Sequence, residues 1–199
     1  MGSYDITQSN AAVRQLLEVT TNPRHRLLLT VLDRYRALRL AGRYQEIFES
    51  GMTVDHPVWH FNALGMDLIM DGEEEIATVW EEWTRTGQCI FYVEDEKLAV
   101  GDDMVASEGV LYQQTPGKSL VGLDAEVEAS ATYLVAAVMD LVWLFDSHGR
   151  VVRQDVWEID PLKRRLIRID PADVLSPQQA AELLDPFIGP APRFAEALS

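Results

Sequence analysis

The chain is 199 residues long, 47% hydrophobic and 25% charged, with a formal net charge of −15; this suits one domain with a substantial core, and the acidity argues against nucleic-acid binding because it repels phosphate backbones. Cys89 is the only cysteine, which excludes an internal disulfide and a thiolate zinc cluster, and within Cys89-Ile90-Phe91 it reads as a small buried hydrophobe. No stretch approaches the roughly 18 apolar residues of a membrane span, and the first residues have neither a basic-then-apolar leader nor the Ser or Thr that a myristoylation signal wants where Ile6 stands, so a cytoplasmic protein with no membrane partner is expected.

Ala12, Val13, Leu16, Leu17 and Val19 recur at helical spacing and predict a short amphipathic helix that ends near Asn22-Pro23. Over residues 24–40, Leu27, Leu28, Val31, Leu32, Tyr35 and Leu38 share one face while Arg26, Asp33, Arg34 and Arg36 fall largely elsewhere. This is a long amphipathic helix with Tyr35 on its buried side. Ala41-Gly42 ends it, a short helix covers 44–49, and an extended segment over 52–58 is closed by Pro57, with His56 at its end. Asp71 followed by Glu74 resembles a capping box for a helix whose Ile76, Val79, Trp80 and Trp83 form one face before Gly87. Strand patterns follow at 88–93, 97–100 and 104–114, separated by the acidic turns Glu94-Asp95-Glu96 and Gly101-Asp102-Asp103. A connector occupies 120–130.

Residues 132–160 read as two long strands joined at Asp146-Ser147-His148-Gly149. The run 133–145 is too apolar to have a solvated face, so both of its sides should be covered. One carboxylate, Asp140, interrupts it, and an unpaired buried carboxylate finds a partner or takes up a proton. This places Asp140 in a pocket, with chemistry to do there. A short strand follows at 162–169, where basic and apolar residues alternate as on a solvated strand face, and Ser176-Pro177-Gln178-Gln179 caps a final helix that runs to about Leu184 ahead of Pro186, Pro190 and Pro192. Helices first and antiparallel strands after them predict an α+β domain with helices packed on one face of a bent sheet. The expected organisation is an N-terminal helical extension over 1–23, the domain over 24–170, and a C-terminal helix and tail over 171–199.

The string Arg34-Tyr35-Arg36-Ala37-Leu38-Arg39-Leu40-Ala41-Gly42, then Ile47-Phe48, Thr53-Val54-Asp55-His56-Pro57, Asp71-Gly72-Glu73 and the late turn Gly149-Arg150-Val151, resembles the NTF2-like superfamily over roughly residues 24–160. Its members include ketosteroid isomerases, SnoaL-like polyketide cyclases, scytalone dehydratase and limonene epoxide hydrolase. The resemblance implies a cone-shaped pocket between helices and a strongly curved antiparallel sheet, commonly in a homodimer, and an enzyme that needs no cofactor. The isomerase pattern uses a helix tyrosine, a base just before a proline and a protonated aspartate on a late strand; Tyr35, His56 and Asp140 occupy those positions here. Histidine replaces the usual carboxylate and the segment is about one helical turn shorter, yet imidazole can still move protons near neutral pH. The implied reaction is enolate chemistry on a hydrophobic carbonyl compound: isomerisation, dehydration or aldol-type cyclisation.

Each candidate has a plainer alternative. Asp140 could be satisfied by Arg153 across the hairpin, Tyr35 could be a core aromatic, and His56 a strand-end histidine bonded to backbone. Asp155 could join the catalytic set as in limonene epoxide hydrolase, opening a terpenoid epoxide, or simply pair with Arg153. Trp59, His60, Tyr92, Glu108 and Trp157 are candidates for substrate contact. Among these Glu108 also fits a convex-face surface position, and the five tryptophans also fit core or dimer interface. His56 and His60 four residues apart in extended chain do not converge on a metal, and no metal site is expected. A binding or dimerisation module without catalysis is the third possibility.

Overall fold

The computed structural model describes residues 4–123 and 126–194. Residues 1–3, 124–125 and 195–199, which include Met1-Gly2, part of the 120–130 connector and the end of the tail, lie outside the described residues.

Helices α1 (Ala11–Val19), α2 (Pro23–Leu40) and α3 (Gln45–Glu49) open the chain. The Asn22 side chain accepts from the Arg24 and His25 N–H groups, and Pro23 occupies a position whose N–H has no helical partner, so α2 starts where α1 cannot continue. Next comes a hairpin of β1 (Thr53–Ala63) and β2 (Met66–Asp71). The sequence reading ended the extended segment soon after Pro57, but β1 runs on, and a register shift against its neighbour between Thr53 and Val58 absorbs the missing proline donor. The hairpin turns at Leu64-Gly65, both at positive φ; leucine is so rare in that role that the turn leaves little trace in sequence.

Helix α4 (Glu73–Thr86) has Gly72 at its N-cap and Gly87, left-handed, at its C-cap. The expected capping box at Asp71 and Glu74 is not formed. Glu75 accepts the Asp71 N–H instead. Strand β3 (Phe91–Val100) is continuous through Glu94-Asp95-Glu96, which is a bulge and not a turn: the register against β4 (Met104–Pro116) shifts between Glu94 and Lys97, with Asp95 at positive φ. Gly109 lies beneath it, where a Cβ would stand 2.8 Å from Val93 and 3.2 Å from Glu96, so the close approach depends on glycine. The bulge turns Glu96 inward. Strands β5 (Thr132–Phe145), β6 (Val151–Glu158) and β7 (Arg165–Arg168) follow, and Ser176 and Gln179 form a capping box on α5 (Pro177–Leu184).

The seven strands form one curved, unclosed sheet in the order β2-β1-β6-β5-β4-β3, with β7 paired to the first part of β5. All pairs are antiparallel except β1 with β6, which closes the long crossover through α4 and β3–β5. The helices fill the concave face. Leu28, Leu32 and Tyr35 of α2 and Trp80 of α4 meet Trp59, Phe61, Met139, Leu141, Trp143 and Phe145 from the sheet in the main core. On β5 the odd-numbered residues from Ala137 onward therefore point inward, and Val138, Asp140, Val142 and Leu144, all half-buried, point outward. No helix of the described residues is long and apolar enough to cross a membrane.

Candidate functional site

Inside the cone a cavity of about 50 Å³ is lined by Tyr35, Arg36 and Arg39 of α2, Trp83 of α4, Trp59 and Phe61 of β1, Phe91 of β3, Leu111 and Gln113 of β4, Leu141 and Trp143 of β5, and Gln154 and Val156 of β6. It is large enough for a few waters or a single small ring, roughly, and smaller than the several hundred Å³ of most ligand pockets. Trp83, Phe91 and Leu111 are half-buried while Trp59, Phe61 and Trp143 are buried, so the mouth lies at the first three. No Asp, Glu or His lines it.

Two arginines one helical turn apart meet different environments there. Arg36 donates to both oxygens of Glu96, at 2.8 and 3.1 Å, and to the Ser9 carbonyl; the bulge in β3 supplies that carboxylate. Arg39 sits 4.0 Å from the Trp80 ring, 4.9 Å from Trp59 and 5.9 Å from Trp83, in the last turn of α2, where carbonyl ends favour a cation. It forms no salt bridge with any described residue, and its polar neighbours are Tyr35 and Cys89. Burial pushes the Tyr35 phenol well above its ordinary range despite the nearby arginine, and it pushes the Cys89 thiol up to about 11. Both groups are neutral near pH 7 and leave the arginine charge uncompensated, while burial itself pulls the guanidinium's pKa below the ordinary arginine value. The Tyr35 hydroxyl donates to Gln154 Oε1 at 2.9 Å. The indole N–H groups of Trp59 and Trp143 have no partner among the described residues and are sealed from the cavity.

The structure does not bring Tyr35, His56 and Asp140 together. Tyr35 is in the cone. His56 stands on the surface, its ring paired with Asp71 at 2.9 Å, with both side chains more than 60% exposed. The reason is its place on β1: Trp59 and Phe61 define the inner face, and His56, three residues before Trp59 and within the register shift between Thr53 and Val58, takes the opposite parity. Asp140 is on the convex face, directly opposite Glu108 on one side and Trp157 on the other. Partial burial and the Glu108 charge hold its carboxyl above the usual range. Arg153, the partner weighed for it, is bonded to Asp155 at 2.7 Å, also on the convex face. Glu108 is exposed beside Lys97 at 3.8 Å.

His60 is the outer-facing neighbour of Trp59. Its Nε2 lies 2.6 Å from Asp67 and its Nδ1 3.5 Å from Asp155, while the Trp157 ring meets it edge-on with centroids 4.7 Å apart. Because the two carboxylates address opposite ring nitrogens, the three cannot share one ion. Trp157 is 41% exposed. Tyr92 lies with Tyr4 and Tyr112 in a groove of about 680 Å³ between the N-terminal segment, residues 168–183 and β3–β5. Of the nine candidates, Tyr35 and Trp59 line the cone cavity and seven do not. The residues the sequence reading passed over are Arg39, Gln154 and Gln113. For Arg39 the signal was present, since it follows Tyr35 by four residues and so shares its helix face.

No protein-family model matches the chain, and no curated protein matches it in sequence. Solved structures do. The fold is similar to that of a candidate SnoaL-like polyketide cyclase from Jannaschia sp. CCS1, at 13% identity over 70% of this chain and 90% of that chain, TM-score 0.51. It is similar to a candidate polyketide cyclase from Xanthomonas campestris pv. campestris, at 11% identity over 67% and 91%, TM-score 0.50. An NTF2-like protein from Anabaena variabilis ATCC 29413 matches at 6% identity over 71% and 94%, TM-score 0.52. At such identities the likeness is one of fold.

Proposed function

We propose that this chain, which has the NTF2-like fold, is an enzyme of cyclase or isomerase type that uses the interior of its cone, without a cofactor, on a hydrophobic carbonyl compound. The observation that carries the reading is the Tyr35 hydroxyl: buried on the cavity wall, held neutral, and fixed in direction by Gln154. Such a group hydrogen-bonds to a carbonyl oxygen as negative charge develops on it, and a preorganised donor of this kind lowers the barrier by about 2.7 to 4 kcal/mol. In this reading Tyr35 has the role that the resemblance implied.

The base does not come from His56 or Asp140 in this reading. With no carboxylate or imidazole on the wall, the substrate must be a carbon acid strong enough to yield its proton to water at the mouth, as a carbon between two carbonyl groups is. The enolate then either takes a proton at another carbon, an isomerisation, or adds through carbon to a second carbonyl, an aldol-type closure. Epoxide opening needs a carboxylate to orient water, and Asp155 serves Arg153 and His60 on the other face. The homodimer suggested by the resemblance would use that convex face, where Trp157 and Ile69 are exposed; Trp157→Glu would then lower the sedimentation coefficient without changing the cavity.

The ultraviolet spectrum of a substituted phenol, a one-ring stand-in for an enolate, tests the reading near pH 7. We expect the wild-type protein to bind it as the anion and Tyr35→Phe to lose that, while His56→Ala and Asp140→Asn retain it. Binding of the neutral phenol only, or no binding, sinks the reading and leaves a binding module.

A further inference from the structure

Arg39 poses a physical problem that the proposed reaction alone does not resolve. A cation removed from water loses hydration that its surroundings must replace, and the helix C-terminus and three indole faces return only part of it. Its neighbour Arg36 shows what this protein does with an arginine that is structural: it bends a strand to bring Glu96 against it. No carboxylate among the described residues answers Arg39, and the groups beside it, Tyr35 and Cys89, are a phenol and a thiol. Of the amides on the wall, Gln154 Oε1 accepts from Tyr35 and Gln113 donates to the Gln88 carbonyl. A cavity with a fixed positive charge and aromatic walls fits an anion with an apolar body.

We propose that the cone binds a hydrophobic organic acid, its carboxylate on the Arg39 guanidinium and its apolar part against Trp59, Trp83 and Phe61. This deepens the reading above and rests on the same cavity. Arg39 and Tyr35 are adjacent on one helix face, so a keto acid with its carbonyl close to its carboxylate would reach both. Pairing the carboxylate with Arg39 also removes the negative charge that otherwise opposes enolate formation next to it. Arg39 is thus the residue that selects the substrate class, and Tyr35 the one that meets the reacting oxygen.

The test uses the full chain with benzoate and its neutral isostere benzamide, small enough for the cavity, followed by tryptophan fluorescence because Trp59, Trp80 and Trp83 surround Arg39. Benzoate should bind at least about ten-fold more tightly than benzamide, the scale of one charge-assisted hydrogen bond. Arg39→Met should abolish the preference and Arg39→Lys should keep part of it. Equal affinity of the two probes for wild type overturns the proposal without any variant having to fold, and so does a preference that survives Arg39→Met or no benzoate binding at all. The enzymatic reading fails separately: benzoate preference with only the neutral phenol bound leaves an acid-binding site without catalysis, whereas ionised phenol with no benzoate preference removes the acid site and leaves the enolate chemistry.

Discussion

The concave face of the sheet holds an arginine that meets no acid among the described residues, whereas the convex face, one residue away along the same strands, holds Asp67, His60, Asp155 and Arg153 in contact with one another. Trp59 and His60 are neighbours in sequence; the first helps enclose Arg39, and the second is bound between Asp67 and Asp155. Trp143 and Val142, Leu141 and Asp140, Val156 and Asp155 divide the same way. A polar network whose members satisfy each other has little left to offer a ligand, while a buried donor with nothing to donate to is a site in waiting. The difference teaches that a chemically rich cluster is weaker evidence for a pocket than a single unsatisfied charge. On the convex face Arg153 pairs with Asp155, and His60 stands between Asp155 and Asp67.

The contrast between satisfied and unsatisfied groups breaks most sharply at the two arginines. Glu96→Gln removes the partner of a guanidinium whose side chain is 2% exposed, and should cost about 3 to 5 kcal/mol in urea unfolding; Arg39→Met, which deletes a cation that has no partner to orphan, should leave stability unchanged or raise it. If the two variants lose stability equally, Arg39 is a structural cation and the distinction drawn here is wrong. Next in size, Tyr35→Phe leaves Gln154 Oε1 without its donor in a buried position, with an expected loss of about 1 to 3 kcal/mol together with loss of ionisation of the bound phenol.

The smallest effect belongs to the convex face. Asp140 has its carboxyl raised above the ordinary 3.8 by partial burial and by Glu108; Trp157 lies on its other side, and Lys97 is beyond Glu108. Because the folded state binds this proton more tightly than the unfolded chain does, its contribution to stability is fully present below 3.8 and is lost as pH rises through the folded value. Asp140→Asn should remove that loss, gaining on the order of 0.5 kcal/mol at neutral pH, the scale of exposed charge pairs, and flattening thermal stability across that window. A variant less stable than wild type at pH 7 would mean that the carboxylate has a favourable partner there.

Much of the fold was legible because it rests on local signals. The period of Leu28, Leu32 and Tyr35, the Asn22-Pro23 and Ser176-Pro177 starts and the Gly87 stop are written in consecutive residues, and so is the long hairpin around residues 146–149. The bulge at Asp95-Glu96 and the turn at Leu64-Gly65 were not, since each is made by residues that usually do something else and is imposed by what lies across the sheet. The candidate site was legible only in part. Asp140 stood out because it interrupts an apolar run, but an interruption says nothing about which side of the strand it faces.

By itself, the sequence determined the helices and most of the strands in their chain order, hence an α+β chain with helices on one face of a bent sheet, because periodicity and caps act over a few residues. Tertiary structure alone decided which parity of each strand faces the helices, because that choice is made by the packing of Trp80 and Leu32 against one side of the sheet. It turned Glu96 in to Arg36 and left Arg39 without an acid among the described residues. Burial and pairing depend on residues far apart in the chain, and burial without pairing is what singles out the proposed site.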